Sequence, residues 1–396
     1  MKIAVYHNLP SGGAKRSLYE MISRTRTQHE YSLYRPDIEA NEEYMDLREL
    51  VKHEYSQGFS GLKPDVLAGK NIVAQRKFLK KFRQLESEIA QKINDSDAEV
   101  VLVMSCMFTH SPGLLTKLTK PTFYYLQEPR RQSFEFNLSA LMQRLARVQK
   151  ISDTAAYLAR YAPQITAVRN DIQSVKAASK VLCNSYFSHE AILRNYGVDA
   201  EVCYLGVDAG FAQVKPAKKQ RTNSVLIVGA LHPNKNQLLM IESIGLLPDK
   251  KRLALECVYD RSEESYKQHL LERAKELGVD LTLSYRVADK ELVQKYASAA
   301  AVACLAELEP FGFTPLEANL AGTPVIALKE GGYRETVIDG ETGVFVSRNP
   351  QAVRDAVEKI SNKKWNPTKL QAHANQWNWE RTIAQYEQAL QELGNG

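Results

Sequence analysis

The chain has 396 residues, of which 44% are hydrophobic and 25% charged, with a formal net charge of +6. That length exceeds one ordinary core and predicts two or three domains, and the composition is that of a folded, water-soluble protein rather than a disordered one. So small a charge permits attraction to anions without selecting any, and no apolar run reaches the roughly 18 residues that a spanning helix needs.

The five cysteines, at 106, 183, 203, 257 and 304, follow neither metal-ligand nor disulfide spacing. They are expected to be buried thiols in a reducing compartment, which points to a cytoplasmic protein. "MKIAVYHNLP" opens the chain as a short alternating strand, not as the apolar segment of a signal peptide. After strand "KIAVYH" (2–7) come a loop, "NLPSGG", and a helix from Ala14, with Leu18, Met21 and Ile22 on one face. Further strands are expected at "YSLYR" (31–35), "EVVLVMS" (99–105), "TFYYLQ" (122–127) and "KVLCNS" (180–185).

Between them, "RKFLKKFR" (76–83) interleaves five basic residues with the stripe Phe78, Phe82, Leu85 and Ile89. Such a helix either docks its stripe on the core or lies on an anionic membrane surface, peripheral at the inner face of the cell membrane. Leu138, Leu141, Met142, Leu145 and Val148, opposite Arg144, Arg147 and Lys150, repeat the pattern. "DSD" (95–97) has the form of a metal-binding D-x-D but directly precedes strand 99–105, at the wrong end of a sheet, so it reads as a solvated turn. No other cluster suggests a metal, and no nucleic-acid recognition module appears.

The second half repeats the alternation. Strands at 224–230, 253–259, 281–286, 301–306 and 324–328 are separated by helical runs at 236–247, 263–277, 289–299 and 314–321. Strands alternating with helices predict α/β, doubly wound sheets. The polar stretch 211–223 is the expected hinge, and a final helix at about 380–393 aligns Ile383, Tyr386, Leu390 and Leu393.

In "ELEPFGFTPLEANLAGTP" (307–324), Glu309 and Glu317 stand eight positions apart around a Phe-Gly-Phe turn. Thr314 and Pro315 read as the N-cap and first residue of a helix, with Glu317 completing a capping box. That reading leaves Glu309 unexplained. A helix N-terminus suits a diphosphate, Gly312 lets backbone approach closely, and carboxylates accept from vicinal hydroxyls. Phosphates in the middle with hydroxyls at both ends describe a nucleotide-sugar.

The stretch 307–346 resembles the E-x7-E signature of the family-4 retaining glycosyltransferases. "SVLIVGALHPNKNQLLMIESI", "LTLSYRVADKELVQKYASA" and "KVLCNSYFSHEAILRNYGVDAEVCYLGVD" are similar to that family's donor-domain and interdomain segments, and "SGGAKRSLYEM" more loosely to its N-terminal glycine loop. The resemblance implies a GT-B fold, two Rossmann-like doubly wound domains facing across a cleft. The domains expected are 1–206 on the acceptor side, a linker at 207–223, a nucleotide-sugar domain at 224–378, and a helix at 379–396 packing back toward the first domain. It further implies a metal-independent hexosyl transfer from a nucleoside-diphosphate sugar to a glycan, lipid-linked or small-molecule hydroxyl, without a cofactor.

By the same resemblance Glu317 binds the ribose, Glu309 orients the donor sugar, and Lys235 neutralises the diphosphate. Gly12, Gly13, Gly229, Phe311, Gly312, Phe313 and Thr314 complete the donor site. His110 joins Glu309 and Lys235 as a catalytic candidate, and Gln127 and Glu128 stand on the acceptor side. Two positions depart from the family. Ala230 replaces a usual arginine, for which Arg286, Lys329 or Arg334 could compensate, and Gln127 or Glu128 falls where many members have a histidine. The alternatives are a glycan phosphorylase or nucleotide-sugar epimerase on the same fold, or a non-catalytic nucleotide-sugar or glycan sensor.

Overall fold

The computed structural model describes residues 1–37, 45–59, 67, 71–130, 165–212, 222–248 and 253–394. The chain divides into two compact units. Unit 1 comprises Met1–Asn184, Ser188–Cys203 and Ile383–Gly396; unit 2 comprises Ser185–Phe187 and Tyr204–Thr382.

Unit 1 is built on strands β1 (Lys2–Asn8), β2 (Glu30–Asp37), β3 (His53–Gly58), β4 (Val100–Cys106), β5 (Thr122–Tyr125), β6 (Lys180–Cys183) and β7 (Glu201–Val202). They pair in the order β3-β2-β1-β4-β5-β6-β7, parallel throughout. Parallel strands covered on both faces need continuous apolar runs, and β1 and β4 supply them, with Ile3–Tyr6 and Val100–Val103 fully buried. The sequence missed β3, "HEYSQG", because an edge strand half open to water carries no apolar run. It also missed β7, which has only two residues.

Helix Ile72–Asn94 settles the reading of the basic amphipathic segment. Phe78, Phe82, Leu85 and Ile89 are all buried in the unit 1 core. Phe78 and Phe82 each meet Phe59 and Phe108 edge-on, with ring centroids 5.1–5.7 Å apart. The stripe is therefore core, and Arg76, Lys77, Lys80, Lys81 and Arg83 face water. Among the described residues no helix is long and apolar enough to cross a membrane. The second basic stripe, 138–150, lies outside the described residues.

Unit 2 contains β8 (Ser224–Val228), β9 (Ala254–Tyr259), β10 (Leu281–Tyr285), β11 (Ala301–Cys304), β12 (Val325–Leu328) and β13 (Gly343–Val346). Their order is β10-β9-β8-β11-β12-β13, again all parallel. Numbered within the unit this is 3-2-1-4-5-6, the doubly wound order expected from the alternation. Phe211, inside the stretch read as a hinge, is buried and packs edge-on against Tyr296 at 5.4 Å.

A doubly wound sheet opens a crevice at the carboxyl ends of its strands where the strand order reverses. In unit 2 that point lies between β8 and β11, and in unit 1 between β1 and β4.

Candidate active site

The loops leaving β8 and β11 meet at the unit 2 switch point. After β8 the chain turns through Gly229, at φ 143°, into a short 3-10 helix, Pro233–Lys235. Asn236, left-handed at φ 54°, then starts helix Gln237–Gly245. Two bonds hold this loop to the end of β11: Asn236 Nδ2 donates to the Leu305 carbonyl at 2.9 Å, and Glu307 N to the Asn234 carbonyl at 2.9 Å. The stem of Lys235 passes over Gly229. Its ammonium donates to Glu309 Oε2 at 2.8 Å, with both side chains only partly exposed. The two candidates read from separate motifs, Lys235 and Glu309, thus form one ion pair.

A second loop, after β12, braces Glu309 from behind. Gly332 N donates to the Glu309 carbonyl at 2.7 Å. A Cβ on Gly331, whose φ is +58°, would come within 2.5 Å of that same carbonyl oxygen. Glu330 accepts from Leu308 N at 3.1 Å, and Arg348 bridges Glu330 and Glu307 at 3.0 and 2.5 Å. Gly331 and Gly332 were not among the residues assigned from the sequence, although a glycine pair after a parallel strand was the available signal.

The helix that follows begins differently from the expectation. It spans Phe313–Leu320 with Gly312, at φ +94°, as its N-cap and no side-chain cap. Thr314 and Glu317 therefore form no capping box. A Cβ at 312 would lie 2.8 Å from the Tyr333 ring, so glycine is required on both conformational and steric grounds. The first turn has no side-chain cap and no acid in it, so the positive end of the helix lies just after the β11 loop. Phe311 is buried against Phe313 and Trp377, at 5.2 and 5.7 Å, which fixes the turn between the two acids.

Glu317, 5% exposed, accepts at Oε2 from the hydroxyl of the fully buried Tyr296 at 2.8 Å. A carboxylate this deep needs such a donor. Burial pushes the Tyr296 phenol well above its usual range, Glu317 adds to the rise, and a hydrogen bond with Thr314 opposes it. Thr323 Oγ1 donates to the Tyr296 carbonyl at 2.7 Å, so the ring is held at its backbone as well. Tyr296, on helix Asp289–Ser298, was not read from the sequence as part of the site. Beneath the three charged groups lies Cys304, whose thiol is pushed well up by burial, then by Glu309 and Glu317.

Of the side chains named as substitutes for the arginine absent at Ala230, Arg334 is held to the loop that braces Glu309, its Nε donating to the Gly331 carbonyl at 3.3 Å. Arg286 instead stacks on Tyr285, 5.2 Å from the ring centroid. Lys329 is exposed just after β12.

In unit 1, Gly12, at φ 143°, caps helix Gly13–Thr25 at the end of the β1 loop. His110 lies on the β4 loop at φ 68°, pinned by reciprocal backbone bonds with Cys106 of 2.7 and 2.8 Å. These three residues share the unit 1 switch point. Gln127 is turned inward: its Nε2 donates to Ser17 Oγ at 2.5 Å, and its carbonyl accepts from Ser188 Oγ at 2.8 Å. Glu128 is half-buried beside it. Asp97 of the D-x-D-like segment pairs with Lys2 at 2.5 Å, at the amino ends of the strands. Among the described residues no cluster of three or more metal-ligating side chains occurs.

The fold class these units define is GT-B. It is shared across 99% of this chain with the Anabaena protein Alr3699/HepE, solved with UDP and glucose, at a TM-score of 0.70, 18% identity and 100% coverage of that chain. The sucrose-phosphate synthase of Thermosynechococcus elongatus superposes at a TM-score of 0.72 with 15% identity, covering 99% of this chain and 98% of its own. More narrowly, residues 210–377 match the family model described as glycosyl transferases group 1. The D-inositol 3-phosphate glycosyltransferase of Corynebacterium glutamicum (strain R) is 30% identical over 175 residues, 41% of this chain and 42% of the relative. The O-antigen chain mannosyltransferase RfbU of Salmonella typhimurium is 29% identical over 202 residues, 48% of this chain and 56% of the relative. The chain thus spans about half the length of the curated relatives it matches.

Proposed function

We propose that the protein is a retaining glycosyltransferase that moves a hexose from a nucleoside diphosphate to an acceptor hydroxyl without a metal. The observation that carries this reading is the Lys235–Glu309 ion pair, at the switch point of unit 2 and beside an uncapped helix N-terminus. The match of this unit to group 1 glycosyl transferases supports it. UDP and UDP-glucose in the solved Anabaena structures favour a nucleoside-diphosphate donor.

In this reading the ammonium of Lys235 and the N–H groups of residues 313–314 face the diphosphate. They stabilise the negative charge that grows on it as the bond from the anomeric carbon to the leaving oxygen breaks. Arg334 supplies the second cation that Ala230 cannot. Glu309 accepts from the donor sugar's hydroxyls, and Glu317, held by Tyr296, from the ribose. The acceptor oxygen bonds the anomeric carbon on the face the diphosphate leaves. Its proton passes to the departing phosphate oxygen, so no enzyme nucleophile is needed. Gly12, Gly13 and His110 serve the same reaction from unit 1, with Glu128 beside the acceptor. Five buried cysteines, all free thiols, favour a reducing, cytoplasmic setting.

Calorimetric titration with UDP-, GDP- and ADP-sugars, followed by hydrolysis and transfer assays on the tightest binder, tests the reading. Glu317→Ala is expected to weaken donor binding at least tenfold, and Lys235→Ala to lower turnover at least tenfold. Wild-type affinity in the first variant, or binding of no sugar nucleotide by the native protein, would overturn it. Binding with neither hydrolysis nor transfer would identify a sensor instead.

A further inference from the structure

We propose that Glu335 is a positioning residue for Glu309: its carboxylate closes a ring of hydrogen bonds around the loop that carries that acid. What Glu309 then does rests on the transferase reading above; the ring itself does not.

Glu335 lies on the short helix Tyr333–Thr336, directly after the glycine pair that braces Glu309. Its carboxylate accepts from three donors. Oε1 takes the Phe187 N–H at 2.9 Å, and Oε2 takes the Tyr186 N–H at 3.0 Å and the Tyr204 hydroxyl at 2.8 Å. The two amides open helix Tyr186–Tyr196, whose first N–H groups have no acceptor within the helix and whose first turn contains no acid. An acid from a distant loop thus supplies the negative charge that this end favours. Residues 185–187, Tyr204 and Glu335 all belong to unit 2.

Ser185, just before that helix, turns the cap into a ring. It is fully buried, and its hydroxyl donates to the carbonyl of Pro310, the residue after Glu309, at 2.5 Å. The same carbonyl lies against Gly332, where a Cβ would come within 2.5 Å of it. Gly332 N in turn holds the Glu309 carbonyl at 2.7 Å, and the Gly332 carbonyl accepts from Glu335 N at 2.9 Å. The loop is therefore held by both Ser185 and Gly332, and Glu335 joins the two.

Aromatic packing adds a second link. Tyr204 meets Trp377 edge-on at 4.7 Å and Phe311 at 6.4 Å, and Arg381 sits over its ring at 5.5 Å. Burial, then Glu335, pushes the Tyr204 phenol up, so it remains a donor at neutral pH. Glutamine at 335 would keep the side chain's length but only one accepting oxygen. The present arrangement, which uses both, could not form.

Hydrogen exchange of the ligand-free full chain, read amide by amide, tests the ring. Glu335→Gln and Ser185→Ala, at separate points on it, are each expected to speed exchange at Gly332 at least fivefold. Acceleration confined to residues 186 and 187 would leave a local helix cap and overturn the proposal. A second arm compares UDP with UDP-glucose, GDP with GDP-mannose and ADP with ADP-glucose, by calorimetry and donor hydrolysis. For the pair that the native protein binds, both variants should change affinity for the nucleoside diphosphate less than twofold and lower turnover of its sugar at least tenfold. Equal losses with and without the sugar, or full turnover, would overturn the positioning role. Ser185→Ala leaves every donor to Glu335 in place, so it decides the matter if Glu335→Gln fails to fold. Should the native protein bind no pair, the transferase reading falls and the exchange arm alone decides whether Glu335 positions Glu309.

Discussion

Tyr296 and Glu317 show how one hydroxyl can set the direction of an acid. Phenylalanine at 296 keeps the ring, its contact with Phe211 and its volume, and removes only the donor to Glu317. A hydrogen bond to a charged group is worth about 1.5–3 kcal/mol. Tyr296→Phe is therefore expected to weaken sugar-nucleotide binding by ten- to a hundredfold and, because it leaves the buried Glu317 carboxylate without this donor, to lower the melting temperature as well. A double-mutant cycle with Glu317→Gln should show non-additive losses in calorimetric affinity; additive losses would mean that the phenol acts elsewhere. Glu317 stood out in the sequence as a site candidate because it ends a spaced motif. Its partner did not, because Tyr296 lies on another helix, and no periodicity links residues 21 positions apart.

At the level of elements, the three loops after β8, β11 and β12 form one interlocked body, and Gly331 and Gly332 are tight points in it. Alanine at 331 would put a Cβ in backbone, 2.5 Å from the Glu309 carbonyl and 2.8 Å from Glu309 N, at a φ that L-residues rarely adopt. Backbone cannot swing aside as a flexible side chain can. Gly331→Ala should displace the Glu309 loop, lower the melting temperature by several degrees and weaken sugar-nucleotide binding, whereas Gly340→Ala has a similar φ, open space around it and only the conformational cost. Equal effects of the two would show that strain alone, not the packing of the loops, matters at 331. Most buried strands and the helices between them were readable because burial on both faces imposes apolar runs, although the four-residue β13 was missed. Edge strand β3, half solvated and polar, was not readable. Nor was the true start of helix Phe313–Leu320, where Thr314 and Glu317 have the spacing of a capping box, but Tyr296 takes Glu317 and leaves Gly312 at the cap.

For the whole molecule, pH draws two opposing responses from unit 1. Burial, with Lys15 and Arg35 as neighbouring cations, pushes His7 down to about 3, and its Nδ1 accepts from Leu9 N at 3.3 Å, as a neutral ring can. An unfolded histidine takes a proton below about 6.5. The native state refuses that proton, so stability is lost as pH falls from about 6.5 toward 3. Glu86 acts in the other direction. Raised from 4.5 to about 8, it holds a proton that the unfolded chain releases, so stability is lost as pH rises through that window. Between about 4.5 and 6.5 the two slopes oppose each other. The melting temperature is expected to be highest there and to fall on both sides. Glu86→Gln should flatten the alkaline limb between pH 6.5 and 8; a limb that persists in this variant would place the responsible proton elsewhere.

Helix Trp379–Gly394 crosses from one unit to the other, and its later part completes unit 1. Tyr386 packs on Phe123 and lies within 3.4 Å of the Tyr31 hydroxyl, while Glu387 bonds His29 at 2.8 Å. On the ribosome, then, the amino-terminal lobe must wait for a clasp synthesised only after residues 204–382, and until then it presents an unfilled seam beside Phe123. A nascent chain stalled before residue 383 should be a chaperone client, and a bulky fusion against this helix should impair the opposite end of the polypeptide.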